Sequence, residues 1–308
     1  INVSAGSWSN YRLDFDYQTP VSDNVAIRLV GAYEDAESFR DTIETNKLLF
    51  SPSVAWRINA ARQLVYEMEY SDQEIPFDRG EIAIDGELGR IPVERFLGEP
   101  SYGPIETGVL GHQVEFQHNF NDNWSALVGF NFRETELDGL ASENGFGAPD
   151  EEGNFGRFSR SRDYDATYQV FRAELSGSFE TGGIQHRVII GLDADEFEND
   201  QVAFRDRSTD QSINIFNPVY GNSPISGLEL APQIDRVEIQ ESVGFYIQDQ
   251  ISLTDKLDVR IGARFDDYEQ SNENRRSDSI SRYSETRVSP QFGVVYQATD
   301  NVSIYGVY

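Results

Sequence analysis

The chain has 308 residues, 53 Asp plus Glu against 25 Lys plus Arg, a net charge of -28, and no cysteine. That excludes a disulfide framework, a thiolate metal site and a catalytic thiol, and the missing basic footprint argues against nucleic-acid binding. No run of about 18 apolar residues suggests a transmembrane helix.

The first strand-like stretch opens at Ile1, and an alternating run follows. Tyr11, Leu13, Phe15 and Tyr17 alternate with Arg12, Asp14, Asp16 and Gln18. A period of two puts each set on one face of a strand. The same pattern returns at Val114, Phe116, His118 and Phe120, and at Trp124, Ala126, Val128, Phe130 and Phe132. It returns again at Leu257, Val259, Ile261, Ala263 and Phe265. Asp163 to Phe179 and Arg236 to Leu253 each read as one run, well beyond the roughly 5–6 residues of an ordinary soluble strand. Roughly thirteen strands are expected.

The connections alternate in kind. Tight ones are expected at 20–24, 59–62, 121–123, 181–183, 254–256 and 299–301, where Asn, Asp, Gly and Thr suit hairpin turns. Long ones are expected at 41–46, 76–109, 138–162, 198–235 and 270–282. Compact soluble domains seldom carry several structureless loops above about 15 residues. Short turns at one end and long loops at the other describe an antiparallel transmembrane β-barrel, with an apolar face to lipid and a charged face to a wet lumen. The whole chain, 1–308, reads as one barrel unit. Both ends fall inside strand-like sequence, so an interior piece of a longer protein is expected.

Several residues are candidates for special roles. Trp8, Trp56 and Trp124 lie near strand ends, as in an interfacial girdle, with lumen packing as the alternative. Pro290 interrupts a strand pattern, and a bulge is the expected reason. His112, His118 and His186 have no metal-ligand spacing, and no Ser/His/Asp set is readable, so no enzyme is expected. Asp193, Asp195, Glu196, Glu198 and Asp200 form the densest acid cluster, and Asp150 to Glu152 a second. A hydrated rim explains both without an ion, so neither metal nor cofactor is expected. Each of the three longest loops carries aromatic and Arg residues. These are Phe77, Arg79 and Tyr102 in the first, and Phe155, Arg157, Phe158 and Arg160 in the second. The third holds Phe204, Arg205, Arg207, Phe216 and Tyr220. Guanidinium groups give charge-assisted donors and rings give stacking faces, which suits a bulky anionic ligand; packing over the barrel mouth is the alternative.

Several segments resemble the barrel of a TonB-dependent outer-membrane receptor of the ferric-siderophore (ferrichrome-receptor-like) class. They are Ser4–Arg12, Arg28–Arg40, Pro76–Gly80 with Ile91–Ser101, Ile215–Gly221, Tyr246–Leu253 with Arg260–Asp266, and Arg287–Tyr296 with Asp300–Tyr305. The resemblance covers essentially the whole chain. It implies a 22-stranded barrel, of which roughly 13 strands are here, and an N-terminal plug that is not. It also implies import of a ferric siderophore driven by a TonB–ExbB–ExbD complex acting through the plug, with outer-membrane lipid and lipopolysaccharide around the barrel. A non-iron nutrient such as cobalamin or a sugar is the nearest alternative. A passive porin and a secreted soluble β-sandwich or adhesin are the other readings of the same strand pattern.

Overall fold

A computed structural model describes residues 1–145, 147–208 and 210–308. Thirteen strands form one antiparallel meander, each paired with its neighbours in chain order. They begin with β1 (Asn2–Ala5), β2 (Tyr11–Ser22), β3 (Val25–Glu37), β4 (Glu44–Asn59), β5 (Arg62–Ile75), β6 (Ile105–Asn121) and β7 (Trp124–Asn144). Between β7 and the next meander strand lies the short β8 (Asn154–Phe155). The meander resumes with β9 (Arg157–Thr181) and β10 (Ile184–Asp206). After the short β11 (Ile213–Asn214) come β12 (Ala231–Thr254), β13 (Leu257–Asn274), β14 (Ser279–Thr299) and β15 (Val302–Val307). The short β8 and β11 pair only with each other. The expected strand number is met, and the sheet is open between β1 and β15.

Register fixes the two faces. Phe130 stands opposite Phe171, which stands opposite Ala194, and that row continues through Val243. The next apolar row runs Leu192, Phe245, Phe265 and Val288. These side chains cover one face, and Phe245 and Phe265 keep 50% and 45% of their surface exposed. Between them, Arg172, Asp193, Tyr246 and Arg264 point to the opposite, charged face. Aromatic and aliphatic groups exposed in rows across a whole sheet would be costly in water. Lipid removes that cost, so the charged face is the lumen.

The tight turns fall where expected. Side chains just before them accept from turn amides: Ser22 from Val25, Asn59 from Ala61, Asn121 from Asn123 and Trp124, Thr254 from Lys256, and Thr299 from Asn301. Each of these turns follows a one-residue slip in register. The turn at Gly182 and Gly183 is regular instead, because both glycines take positive φ (60° and 86°), as a type I′ hairpin requires.

At the outer end the ladder climbs higher than the sequence suggests. The stretch 270–282, read as a long loop, is almost all ladder, with a turn only at 275–278. Likewise β7, β9, β10 and β12 run well into the spans assigned to loops. Above the lipid the faces are either wet or covered by loops, so pairing continues without the apolar alternation that marks it. Among the described residues, the long connections fall within 76–104, 145–156 and 207–230.

Pro290 needs no bulge. It sits in register opposite Ala263. Phe292 exchanges backbone hydrogen bonds of 3.1 and 2.8 Å with Tyr308. The backbone nitrogen of Pro290, two residues earlier, therefore also turns away from β13, and no β13–β14 bond is lost. Trp56 lies on the apolar face, opposite Val25 and Leu64. Trp124 covers Gly177 on that same face and stacks on Phe179. Both sit near the tight-turn end, as an interfacial girdle would, and Trp8 sits at the other end beside Phe39.

Candidate functional site

The three long connections fold together over the outer end of the sheet. Ile91, Leu97, Phe155 and Ile215 make a small buried core, with Ile82 and Ile84 packed against it. Arg157 is the central tie. Its side chain donates to the carbonyls of Leu97 (3.2 Å), Gly98 (2.5 Å) and Gln211 (2.7 Å), and it faces Glu99 at 3.6 Å with both side chains almost fully buried. Glu99 in turn accepts from the Gly221 amide at 3.0 Å. Arg95 donates to the carbonyls of Ile215 and Phe216 at 2.7 and 2.8 Å. The Tyr220 hydroxyl donates to the Phe96 carbonyl at 2.7 Å, and Ser159 Oγ donates to the Tyr102 hydroxyl at 2.9 Å. Burial pushes both phenols above their ordinary pKa. Tyr102, Phe155, Arg157 and Tyr220 thus join the loops to one another.

A second cluster faces the lumen. The carboxylate of Glu143, almost fully buried, pairs with three guanidinium groups: Arg79 at 2.6 Å, Arg160 at 3.3 Å, and Arg162 in close contact. Arg79 and Arg162 lie over the Phe77 ring at 4.8 and 4.9 Å, and Arg160 and Arg207 lie over Phe158 at 5.4 and 4.7 Å. Cationic groups over ring faces are attracted by the ring quadrupole. Arg205 stands directly opposite Arg160 in the ladder. Phe204, its neighbour, belongs to the outward face and is half-exposed. Phe216 covers Gly153 and is exposed.

The structure therefore brings Phe77, Arg79, Phe158, Arg160, Arg205 and Arg207 to one side of the mouth. It places Tyr102, Phe155, Arg157 and Tyr220 in the loop core, and Phe204 and Phe216 away from both groups. Sequence reasoning missed Glu143, Arg162, Glu99 and Arg95. Arg162 was legible, two residues beyond Arg160 and so on the same face. Glu143 was not, because its partner Arg79 is 64 positions away.

Lower in the lumen, a cleft of ≈ 430 Å³ is lined by Arg172, Glu174, Asp193, Tyr246, Arg264 and Gln291, among others. Arg264 clasps both oxygens of Asp193 at 2.7 Å, lying across Gly244, where any Cβ would collide with it. Tyr246 lies across Gly191 in the same way and donates to Glu174 at 2.9 Å. The acids from Asp193 to Asp200 do not gather. Asp193 and Asp195 face the lumen, while Glu196, Glu198 and Asp200 face outward; among the described residues no acid or histidine group forms a metal site. His186 bonds Asp249 and Thr181 at 2.7 Å each, and His112 bonds Tyr66 at 2.8 Å.

Residues 51–308 match the family described as TonB dependent receptor-like, beta-barrel. The chain belongs to that family. It is 32% identical over 317 residues to the metal-pseudopaline receptor CntO of Pseudomonas aeruginosa, covering 99% of this chain and 44% of that protein. It is 26% identical over 321 residues to the ferrioxamine B receptor of Salmonella typhimurium, covering 99% and 43%. The chain thus spans less than half the length of these relatives. The crystal structure of the ferric-catecholate import receptor Fiu of E. coli K12, open form, superposes with a TM-score of 0.84 at 18% identity, covering 98% of this chain and 52% of that one. At that identity the likeness is one of fold. Membership in the TonB-dependent receptor family places the barrel in the outer membrane of a Gram-negative cell. The family and its relatives are transport receptors rather than enzymes. The soluble sandwich is thereby set aside.

Proposed function

We propose that this chain forms part of the wall of an outer-membrane receptor that imports a metal chelate, with energy delivered by a TonB–ExbB–ExbD complex through an N-terminal plug. The observation that carries this reading is the cluster around Glu143. Arginines supported on Phe77 and Phe158 line the lumen side of the mouth, under loops fixed in place by Arg157 and Glu99. A passive pore uses charged groups to filter passing solutes and does not depend on a recognition surface fixed under locked loops. A receptor needs one, because scarce cargo must be held before transport. Phe77, Arg79, Phe158, Arg160 and Arg205 are the proposed contacts. Lipid and lipopolysaccharide surround the apolar belt in this reading.

The cargo we assign first is a ferric siderophore, in keeping with the ferrioxamine B receptor among the relatives. A chelate of another transition metal is the second reading. It is favoured by the higher identity, 32% against 26%, to a relative named for metal-pseudopaline.

The test is metal accumulation by cells with and without the intact gene, grown in their own metal-depleted culture fluid supplied with labelled iron, nickel or zinc. Accumulation of a chelated metal that needs the gene, and that stops when the proton-motive force is collapsed, is expected. Gene-dependent entry that continues unchanged in uncoupled cells would contradict the receptor and support the porin.

A further inference from the structure

Charge in this chain is segregated by face at the outer rim. Above the apolar belt, the outward side is acidic. Glu136, Asp165 and Asp200 stand directly opposite one another on β7, β9 and β10, and Asp138, Asp163 and Glu198 flank them. Like charges directly opposite across strands are destabilising, so composition alone would not sort them this way. The inward side of the same strands is basic. Arg160 and Arg162 on β9, Arg205 on β10 and Arg236 on β12 all fall on the lumen register. The acids on that side of these strand ends are Glu143 and Glu238. Glu143 is already shared by three guanidinium groups, and Glu238 is engaged by the amides of Gln240 and Gln270 at 2.7 Å each. Arg160 Nε and Arg162 Nη1 are shielded from solvent and have no hydrogen-bond partner among the described residues. The electrostatic neighbours of Arg160 are Glu143 and the Tyr164 phenol on one side of the balance, and Arg162 and Arg205 on the other.

Three arginines on one carboxylate, with Arg205 opposite Arg160, leave a net positive patch inside a chain of net charge -28. Holding like charges together in a partly desolvated mouth costs free energy unless an anion balances them. Planar guanidinium forks match carboxylate oxygens two by two. Arg79 and Arg162 lie over the Phe77 ring and Arg160 over the Phe158 ring.

We propose that the cargo is a polyanionic chelate with free carboxylate groups at its periphery, and that Arg79, Arg160, Arg162 and Arg205 select it over neutral and cationic chelates. Glu143 is the positioning residue: it fixes the guanidinium groups and touches no cargo. The acidic outer rim then repels the same anion from the barrel's exterior and leaves the lumen as its attractive path. This rests on the chelate-import reading and narrows it to one charge class.

The experiment uses the full-length receptor in detergent micelles. Binding is measured by calorimetry for the nickel(II) and iron(III) complexes of diethylenetriaminepentaacetate, polyanions that leave carboxylate uncoordinated, and for a neutral iron(III) trihydroxamate, at low and high salt. The expected result is binding of the polycarboxylate chelates, weakened by salt, with the trihydroxamate at least about tenfold weaker. Arg79→Gln/Arg205→Gln should weaken the polycarboxylates about tenfold or more and leave the trihydroxamate unchanged. Neither residue lies in the loop core, and the heat-shifted gel mobility of the folded barrel verifies that the variant folds. Arg275→Gln, which removes a pairing with Asp200 and Asp235 on the outward side, should bind as the parent does. Equal or tighter binding of the trihydroxamate, or polycarboxylate binding indifferent to the Arg79/Arg205 change, would overturn the charge-class inference alone. Failure of a well-folded receptor to bind any of the chelates would overturn both this inference and the chelate reading beneath it.

Discussion

Replacing Arg157 with Leu should open the loop assembly without loosening the barrel. The ion pair with Glu99 is almost fully buried on both sides. Removing one partner of such a pair costs about 3–5 kcal/mol, because the other charge stays buried without compensation. Three carbonyls, of Leu97, Gly98 and Gln211, lose their donor in the same change, and each buried acceptor left bare adds about 1–3 kcal/mol. The smaller figure alone, about 3 kcal/mol, multiplies the opening equilibrium by roughly a hundred. The loss falls on the loops, because the ladder below them is held by its own backbone bonds. Hydrogen exchange on the full-length receptor reads this directly. The amides of Tyr102, Ile215 and Gly221 are bonded within the loop assembly, and their protection should fall about a hundredfold. Amides in the belt of β12 should keep theirs. Glu99→Leu combined with Arg157→Leu should recover only part of the loss, since the carbonyls stay unsatisfied. Protection at those loop amides within about threefold of the parent, or an equal loss throughout β12, would refute the assignment of Arg157 as the loop tie.

Other consequences follow from the two faces and the close approaches along them. Ile247→Arg puts a charge on the lipid face and should destabilise folding into bilayers by about 2–4 kcal/mol, while Gln248→Arg on the lumen face should change it little; urea titrations in lipid vesicles compare the two. Gly191→Ala places a Cβ within 2.1 Å of the Tyr246 ring and should cost about 1–3 kcal/mol, read as a lowered unfolding midpoint. Asp165→Asn relieves the acidic row with Glu136 and Asp200 and should stabilise by about 0.2–1 kcal/mol, an effect that shrinks at high salt.

Much of this fold is legible in sequence because the bilayer imposes a strict period. Tyr11 to Tyr17 and Leu257 to Phe265 alternate cleanly, since every second side chain meets lipid and none can be polar without cost. Turn chemistry was legible for a local reason: Asn59, Asn121 and Thr254 bond their own following amides. The upper ladder was not. From Gln270 to Asn274 and from Glu198 to Gln201 both faces meet water, and from Ala203 to Asp206 the loops cover the strand, so pairing leaves no lipid-facing pattern, and those stretches look like loops. The site divides in the same way. Arg79, Phe158 and Arg160 stand out as residue types, but whether an Arg faces cargo or loop core is decided by tertiary contact. Arg157 and Arg160 are three residues apart. One is buried against Glu99, and the other faces the lumen beside Arg205.

The separation of lipid and lumen faces is tested most directly by cysteine labelling along β12, in a chain whose own sequence has no cysteine to interfere. Single cysteines at 243 to 251 in the full-length receptor, reconstituted in vesicles, are probed with a lipid-partitioned thiol reagent and with a water-soluble one. The lipid reagent should label positions 243, 245 and 247 and spare 244, 246 and 248, with the water-soluble reagent giving the reverse. Uniform labelling by the water-soluble reagent at all of these positions would contradict a membrane-spanning wall.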